Sequence, residues 1–147
     1  MSDVIHEGGC LCGAVRYRVT GEPFRTNICH CTNCQKRTGS SFGISTYFKE
    51  EQVELGDGER RVYRFQSDES GRYGNMEFCA NCGSTVTWTA DFFAGARGIA
   101  GGSFDDPNWF EIKNHGWVRS AQKRTCFPED VEVFEKAIPP SGKIVDS

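Results

Sequence analysis

The chain has 147 residues and a net charge of −3, with eleven Phe, four Tyr and three Trp to fill a core. That length fits one domain, and the weak acidity, with basic runs no longer than Lys36-Arg37 and Lys123-Arg124, offers no footprint for nucleic acid. No apolar stretch approaches the roughly 20 residues of a membrane span, and Met1 to Glu7 lack the regions of a signal peptide, so the expectation is a cytoplasmic protein with reduced thiols.

Taken in chain order, Ala14 to Thr20 alternates apolar and polar residues and predicts a half-buried strand, ended by Gly21-Glu22-Pro23. Thr32 to Thr38 is short and polar and predicts a turn of helix stopped at Gly39. Phe42 to Phe48, rich in aromatic and β-branched residues, predicts a strand. Val53 to Leu55 and Arg61 to Phe65 flank a Gly-rich turn and predict a hairpin. Ser67 to Asn75 is turn-rich, and Met76 to Phe78 leads into a cysteine pair.

Ser84 to Thr89, Arg97 to Ala100 and Gly116 to Arg119 predict further strands. Pro128 to Lys136, with acidic residues near its start, predicts a second helix, and the tail after Pro139-Pro140 is expected to be loose. The fold class is therefore mainly β. One unit spans residues 1–147, with its motifs within about 8–120.

Seven of the eight cysteines form three groups: Cys10-x-Cys12, Cys29-His30-Cys31-x-x-Cys34 and Cys79-x-x-Cys82-Gly83. In an intracellular chain such pairs point to metal rather than to disulfides. Four sulfurs saturate a tetrahedral zinc and three leave a position open, so the spacing predicts two zinc sites, one structural and one reactive. Strand residues i and i+2 share a face, which brings the sulfurs of Cys10 and Cys12 together. Cys79 and Cys82 form a knuckle, with Gly83 permitting a left-handed turn. These four make the closed site. The alternative is that Cys10 and Cys12 are small buried apolar residues.

Cys29, Cys31 and Cys34 make the open site. The alternative is a second inert clasp, completed by His30 or Cys126. His30 lies between two cysteines, so its ring is expected to point away from their sulfurs. Three thiolates make zinc a poor activator of water and a good partner for a thiol, which ionises on coordination. A free thiol, with a pKa of about 8.5, is only a few per cent thiolate at neutral pH. Lys36 and Arg37 either offset the negative charge and attract an anionic thiol, or form an ordinary solvated face.

The segments Gly8-Gly-Cys-Leu-Cys-Gly-Ala-Val-Arg-Tyr17, Cys29-His-Cys-Thr-Asn-Cys34 with Arg37-Thr-Gly-Ser-Ser-Phe42, and Phe78-Cys-Ala-Asn-Cys-Gly83 resemble the glutathione-dependent formaldehyde-activating (GFA) family. The resemblance runs from about Gly8 to Trp88 and continues more weakly to His115. It implies a complex of coiled antiparallel β-sheets, the fold shared with a Rab-GTPase exchange chaperone. It also implies a structural zinc on Cys10, Cys12, Cys79 and Cys82 and a labile catalytic zinc on Cys29, Cys31 and Cys34. The implied activity is that of a carbon–sulfur lyase, interconverting S-hydroxymethylglutathione with glutathione and formaldehyde or acting on a related thiol adduct.

On this reading Cys31, central in its group, is the sulfur that exchanges with a substrate thiol such as glutathione, and His30 carries the hydroxyl proton. Two other readings stand beside it. One is a zinc-scaffolded binding module that presents Trp88, Phe92, Phe93, Phe104, Trp109, Phe110 and Trp117 to a protein partner. The other is redox transfer, with a mixed disulfide on Cys31 resolved by Cys126.

Overall fold

The computed structural model describes residues 3–68 and 70–139; the expected loose tail after Pro139 lies outside them. Two sheets share the core. The smaller is antiparallel, in the order β1 (Ile5–Gly9), β2 (Arg16–Thr20), β5 (Val53–Leu55). The larger has eight strands. Its middle is β3 (Arg25–Cys29), β4 (Gly43–Lys49), β9 (Ala96–Ala100) and β8 (Thr85–Ala90), continued by β7 (Tyr73–Cys79) and β6 (Arg60–Gln66). On the far side of β3 lie β10 (Asn114–Gly116) and then β11 (Glu132–Val133), and both of these pairings are parallel. The one α-helix among the described residues, α1 (Thr32–Thr38), falls where the sequence predicts it.

In β2 the alternation is complete: Tyr17 and Val19 are buried while Arg16, Arg18 and Thr20 are exposed. Those two residues meet Phe48 of β4, Val86 of β8, Ile99 of β9 and Phe104, with Val53 and Leu55 of β5 packed alongside. The core thus lies between the small sheet and one face of the large one. A buried ion network braces the same side: Glu77 accepts from Arg60 Nε at 3.0 Å and Arg97 Nη1 at 2.7 Å, and Arg97 Nε reaches Glu50 at 2.9 Å. Glu77 thus faces two cations, one of them shared with Glu50, which offsets the cost of burying it.

Three local expectations are overturned. Val53–Leu55 and residues 61–65 are strands but not a hairpin, because β5 pairs with β2 and β6 pairs with β7. Val53 and Leu55 are drawn to the core, and the Gly56 N–H donates to the Arg16 carbonyl at 2.8 Å, so the turn is pinned to the small sheet before the chain crosses to the large one. The strand expected at 116–119 is instead Asn114–Gly116, and it ends where Trp117 turns left-handed at φ 57°.

The helix expected at 128–136 does not form; its middle is extended as β11, Glu132–Val133, between turn and bend residues. Val131 and Val133 are β-branched and favour that backbone. The sheet edge also supplies partners: Phe134 N–H donates to His115 O at 2.9 Å, while Trp117 and Val118 N–H donate to Lys136 O and Phe134 O, each at 3.0 Å. Strands β1 and β3 lie where no strand is predicted. The aromatic side chains do not gather into one exposed patch: Trp88, Phe93 and Phe104 are buried, and Trp109 and Phe110 pack on the core.

Gly98 faces Trp88 across the β8–β9 pair, and an added Cβ would sit 2.1 Å from the indole Nε1. Gly98→Ala is expected to cost about 1–3 kcal/mol by overpacking, read as a lower urea midpoint, and to shift the fluorescence of the displaced indole. An unchanged midpoint and spectrum would show that Trp88 has room to move.

Candidate functional site

Cys10 and Cys12 follow β1 in a turn rather than in the strand their spacing suggests, with the Gly13 N–H donating to the Cys10 carbonyl at 3.1 Å; Cys79 ends β7, and Cys82 lies one turn beyond. Their four sulfurs all lie within 4.8 Å of one another, and all the cysteines are free thiols. Cys12 Sγ is 3.6 Å from Cys10 Sγ and 3.7 Å from Cys79 Sγ. A tetrahedron with zinc–sulfur bonds of about 2.3 Å has edges of about 3.8 Å, so this donor set fits zinc in number, softness and spacing.

Backbone amides turn toward the sulfurs. The Val15 N–H donates to Cys10 Sγ at 3.2 Å, and those of Asn81 and Cys82 to Cys79 Sγ at 3.3 and 3.4 Å. Gly83 takes φ +81° to close the knuckle, where a side chain would be strained. Hydrogen bonds from Ser84 bring the Cys82 thiol down to about 5. Donors aimed at sulfur favour the thiolates that a metal requires.

The second group is set by a strand end and a helix start. Cys29 closes β3, Cys31 is the N-cap of α1 and accepts from the Cys34 N–H at 3.3 Å, and Cys34 lies in the first turn. The three sulfurs lie within 4.8 Å of one another. Hydrogen bonds from the Cys29 and Cys31 thiols hold Cys34 well below the usual thiol range, and Arg37 adds to the effect. Cys29 is driven up by the same bonds. In Cys31 the bond with Cys29 acts downward, but the bond with Cys34, burial and the Cys34 charge prevail and push it up to about 11. One thiolate shared between two thiol protons is a donor pattern in which a soft cation can replace the protons.

Neither proposed fourth ligand joins these three among the described residues. Cys126 is exposed, its Sγ 3.8 Å from the Arg124 carbonyl. His30 has no exposed surface: its Nε2 is 2.9 Å from His115 Nδ1, and the edges of Phe42 and Phe127 enclose the pair. Burial, reinforced by His115, pushes the His30 pKa down. The ring therefore points away from the sulfurs, as its place between two cysteines suggests. It lies outside the walls of the cavity onto which Cys29, Cys31 and Cys34 open.

That cavity encloses about 1090 Å³ on the face of the large sheet opposite the core. Lys36 and Arg37 of α1 line one end, and Phe65, Phe78 and Trp88 line the part over β6, β7 and β8. Arg25, Arg37 and Arg72 also line it, each with its guanidinium over an aromatic ring: Phe93 at 5.5 Å, Trp88 at 4.7 Å and Phe92 at 4.6 Å. No Asp or Glu lines it among the described residues. Sequence reasoning found the sulfurs and Lys36 and Arg37. It missed Arg25, Asn27, Tyr47 and Arg72, which come together only through strand pairing, and no short motif marks them.

The sequence profile of the GFA family, described as glutathione-dependent formaldehyde-activating enzyme, matches residues 5–120. A Halomonas elongata protein named "Putative glutathione-dependent formaldehyde-activating enzyme" is 32% identical over 88 residues, which are 58% of this chain and 55% of that protein. This chain thus spans about half the length of that relative. A crystal structure of a Rhodobacter sphaeroides protein, solved as a structural-genomics target, superposes with a TM-score of 0.53 at 19% identity, covering 72% of this chain and 96% of the other. That likeness concerns the fold alone. The profile match extends over both cysteine clusters and most of the two sheets, and on that ground the chain belongs to the GFA family.

Proposed function

We propose that this chain is a zinc-dependent carbon–sulfur lyase that joins glutathione, or a related anionic thiol, to formaldehyde and releases it again. The observation that carries this reading is the three-sulfur group opening onto a large cavity whose described charged residues are all cations. The four-sulfur group lines no part of that cavity, which suits a purely structural role. Cys10, Cys12, Cys79 and Cys82 would hold the structural ion, and Cys29, Cys31 and Cys34 the reactive one. An ion held by three thiolates supplies a soft centre with an open position, at which a thiol loses its proton near neutral pH.

The chain's own residues supply the rest. Arg37, close to Cys34 and stacked on Trp88, offsets the charge of the thiolates. In the forward direction the substrate sulfur attacks the carbonyl carbon, one carbon–sulfur bond forms, and the proton lost from sulfur ends on the new hydroxyl. The aromatic wall limits water around the adduct. His30, expected to carry the hydroxyl proton, is instead assigned the fixing of the backbone between Cys29 and Cys31 through its buried bond to His115, since its ring does not line the cavity.

Zinc-loaded protein is expected to accelerate formaldehyde–glutathione exchange, measured by exchange NMR above the spontaneous rate. Cys31→Ser should keep the helix cap, because serine is a good N-cap, yet lose the reactive ion and at least about 100-fold of the acceleration. No acceleration with two zinc ions bound per chain would favour the binding-module reading instead. Titration with a strong chelator should remove zinc in two steps. The first leaves the far-ultraviolet circular dichroism unchanged; the second unfolds the chain, because affinity at a structural site is folding free energy of about 10 kcal/mol or more. A single step that unfolds the protein would mean that both ions are structural.

A further inference from the structure

Strand β3 presents a strip of three side chains to the cavity. Arg25, Asn27 and Cys29 alternate along one face of the strand, successive members about 7 Å apart. Their partners on β4 are Tyr47, Ser45 and Gly43, and Tyr47 and Ser45 also line the cavity. Two polar atoms on this strip lie buried without a hydrogen-bond partner: the donor Nε of Arg25 and the acceptor Oδ1 of Asn27. Asn27 itself is only 5% exposed. Buried polar atoms are rarely left unpaired in a folded protein, so two together on the wall of a cavity mark a place for a polar ligand.

Arg16, Arg18, Arg60, Arg64 and Arg97, outside the cavity, each hold a carboxylate, at distances from 2.6 to 3.0 Å. Among the described residues Arg25, like Arg37 and Arg72 on the same cavity, has no carboxylate partner. Its guanidinium contacts the Phe93 ring and a single carbonyl, that of Ile138, at 3.4 Å. Burial acts to lower its pKa.

We infer that Arg25 and Asn27 form the anchor for the thiol substrate, Arg25 pairing with a carboxylate of the thiol and Asn27 Oδ1 accepting a neighbouring N–H, while the thiol sulfur lies at Cys29, Cys31 and Cys34. This rests on the proposed function and narrows its substrate to thiols that carry a carboxylate and an amide or amine. A guanidinium beside an aromatic ring is well suited to the task, since it offers a planar fork to a carboxylate and is weakly hydrated. Simple thiols such as 2-mercaptoethanol have no group for the strip and would gain only the sulfur contact.

The test uses S-methylglutathione, which keeps both carboxylates but has no thiol to ionise, and its diethyl ester, which keeps neither carboxylate. Calorimetric titration of the zinc-loaded protein is expected to show the acid binding about 10- to 100-fold more tightly than the ester, the worth of one hydrogen-bonded charge pair. Arg25→Met should bring the two affinities together, whereas Arg64→Met, outside the cavity and paired to Asp91, should leave the ratio as in the wild type. Equal affinity for acid and ester in the wild type, or no binding of either, overturns the anchor even if Arg25→Met does not fold. A ratio unchanged by Arg25→Met overturns it as well. The exchange assay separates this inference from the function beneath it. Acceleration without acid–ester discrimination leaves the lyase reading standing and the anchor wrong; discrimination without acceleration does the reverse.

Discussion

The two sheets meet at four sulfur atoms. Cys10 and Cys12 belong to the segment leaving the small sheet, and Cys79 and Cys82 to the turn leaving the large one, so their convergence fixes where one sheet lies on the other. Hydrogen bonds tie the junction: Leu11 N–H donates to the Ser84 hydroxyl at 3.2 Å, and Cys79 N–H to the Ser84 carbonyl at 2.9 Å. Cys10 and Cys79 are also members of the hydrophobic core. Four thiolates this close would repel one another, and a cation held among them would turn that repulsion into a crosslink between the sheets. The core of Val15, Tyr17, Val19, Phe48, Val86 and Ile99 then fills the space that this junction defines.

With one face of the large sheet committed to that core, the other face is left for chemistry. Strand alternation enforces the division. On β4, Thr46 and Phe48 are fully buried toward the core side, and Thr46 donates to the Ile99 carbonyl at 2.9 Å, while Ser45 and Tyr47 line the cavity. The same period of two on β3 puts Arg25, Asn27 and Cys29 on the cavity side. Charge is sorted in the same way. The carboxylates Glu7, Glu50, Glu77, Asp91 and Asp105 hold arginines away from the cavity, and the cavity arginines have aromatic rings instead. A cation that already faces a ring has not lost its capacity for an anion, because the ring's quadrupole meets the face of the guanidinium and leaves its edge free.

This division also explains what the sequence made legible. The cysteine spacings announce both clusters because each pair is local: tight turns bring together Cys10 with Cys12 and Cys79 with Cys82, and a strand end running into a helix cap brings together Cys29, Cys31 and Cys34. Helix α1 and the strands with apolar cores, β2, β4, β8 and β9, follow from pattern for the same reason. Strand β3 does not, since Arg25-Thr-Asn-Ile-Cys29 shows no apolar alternation. Its cavity side carries Arg25, Asn27 and Cys29 and its other side begins with Thr26, so neither face shows an apolar run. The edge formed by β10 and β11 fails differently. Trp117 adopts a left-handed backbone, costly for a bulky residue, because Lys136 and Phe134 supply carbonyls to residues 117 and 118. Partners that distant in the sequence leave no local mark.

The open cluster depends in turn on a helix too short to persist alone. Seven residues fall well below the length at which a helix holds in water, so α1 must be held by its surroundings. Cys31 caps its start through sulfur, and Gly39 closes its end in a left-handed turn. Gln35 Nε2 ties its middle to the His30 and Ser120 carbonyls at 2.8 and 2.9 Å, and Thr38 donates to the Cys34 carbonyl at 2.8 Å. The atom that caps the helix is therefore also one of the three that would hold the ion. Any change in what Cys31 binds acts directly on the first turn, and through that turn on Arg37, which sits beside Cys34 and over Trp88. Cys31, the first turn of α1 and Arg37 are thus one connected unit. The His30–His115 pair, buried on the opposite side of the same backbone, is the fixed point against which that unit is held.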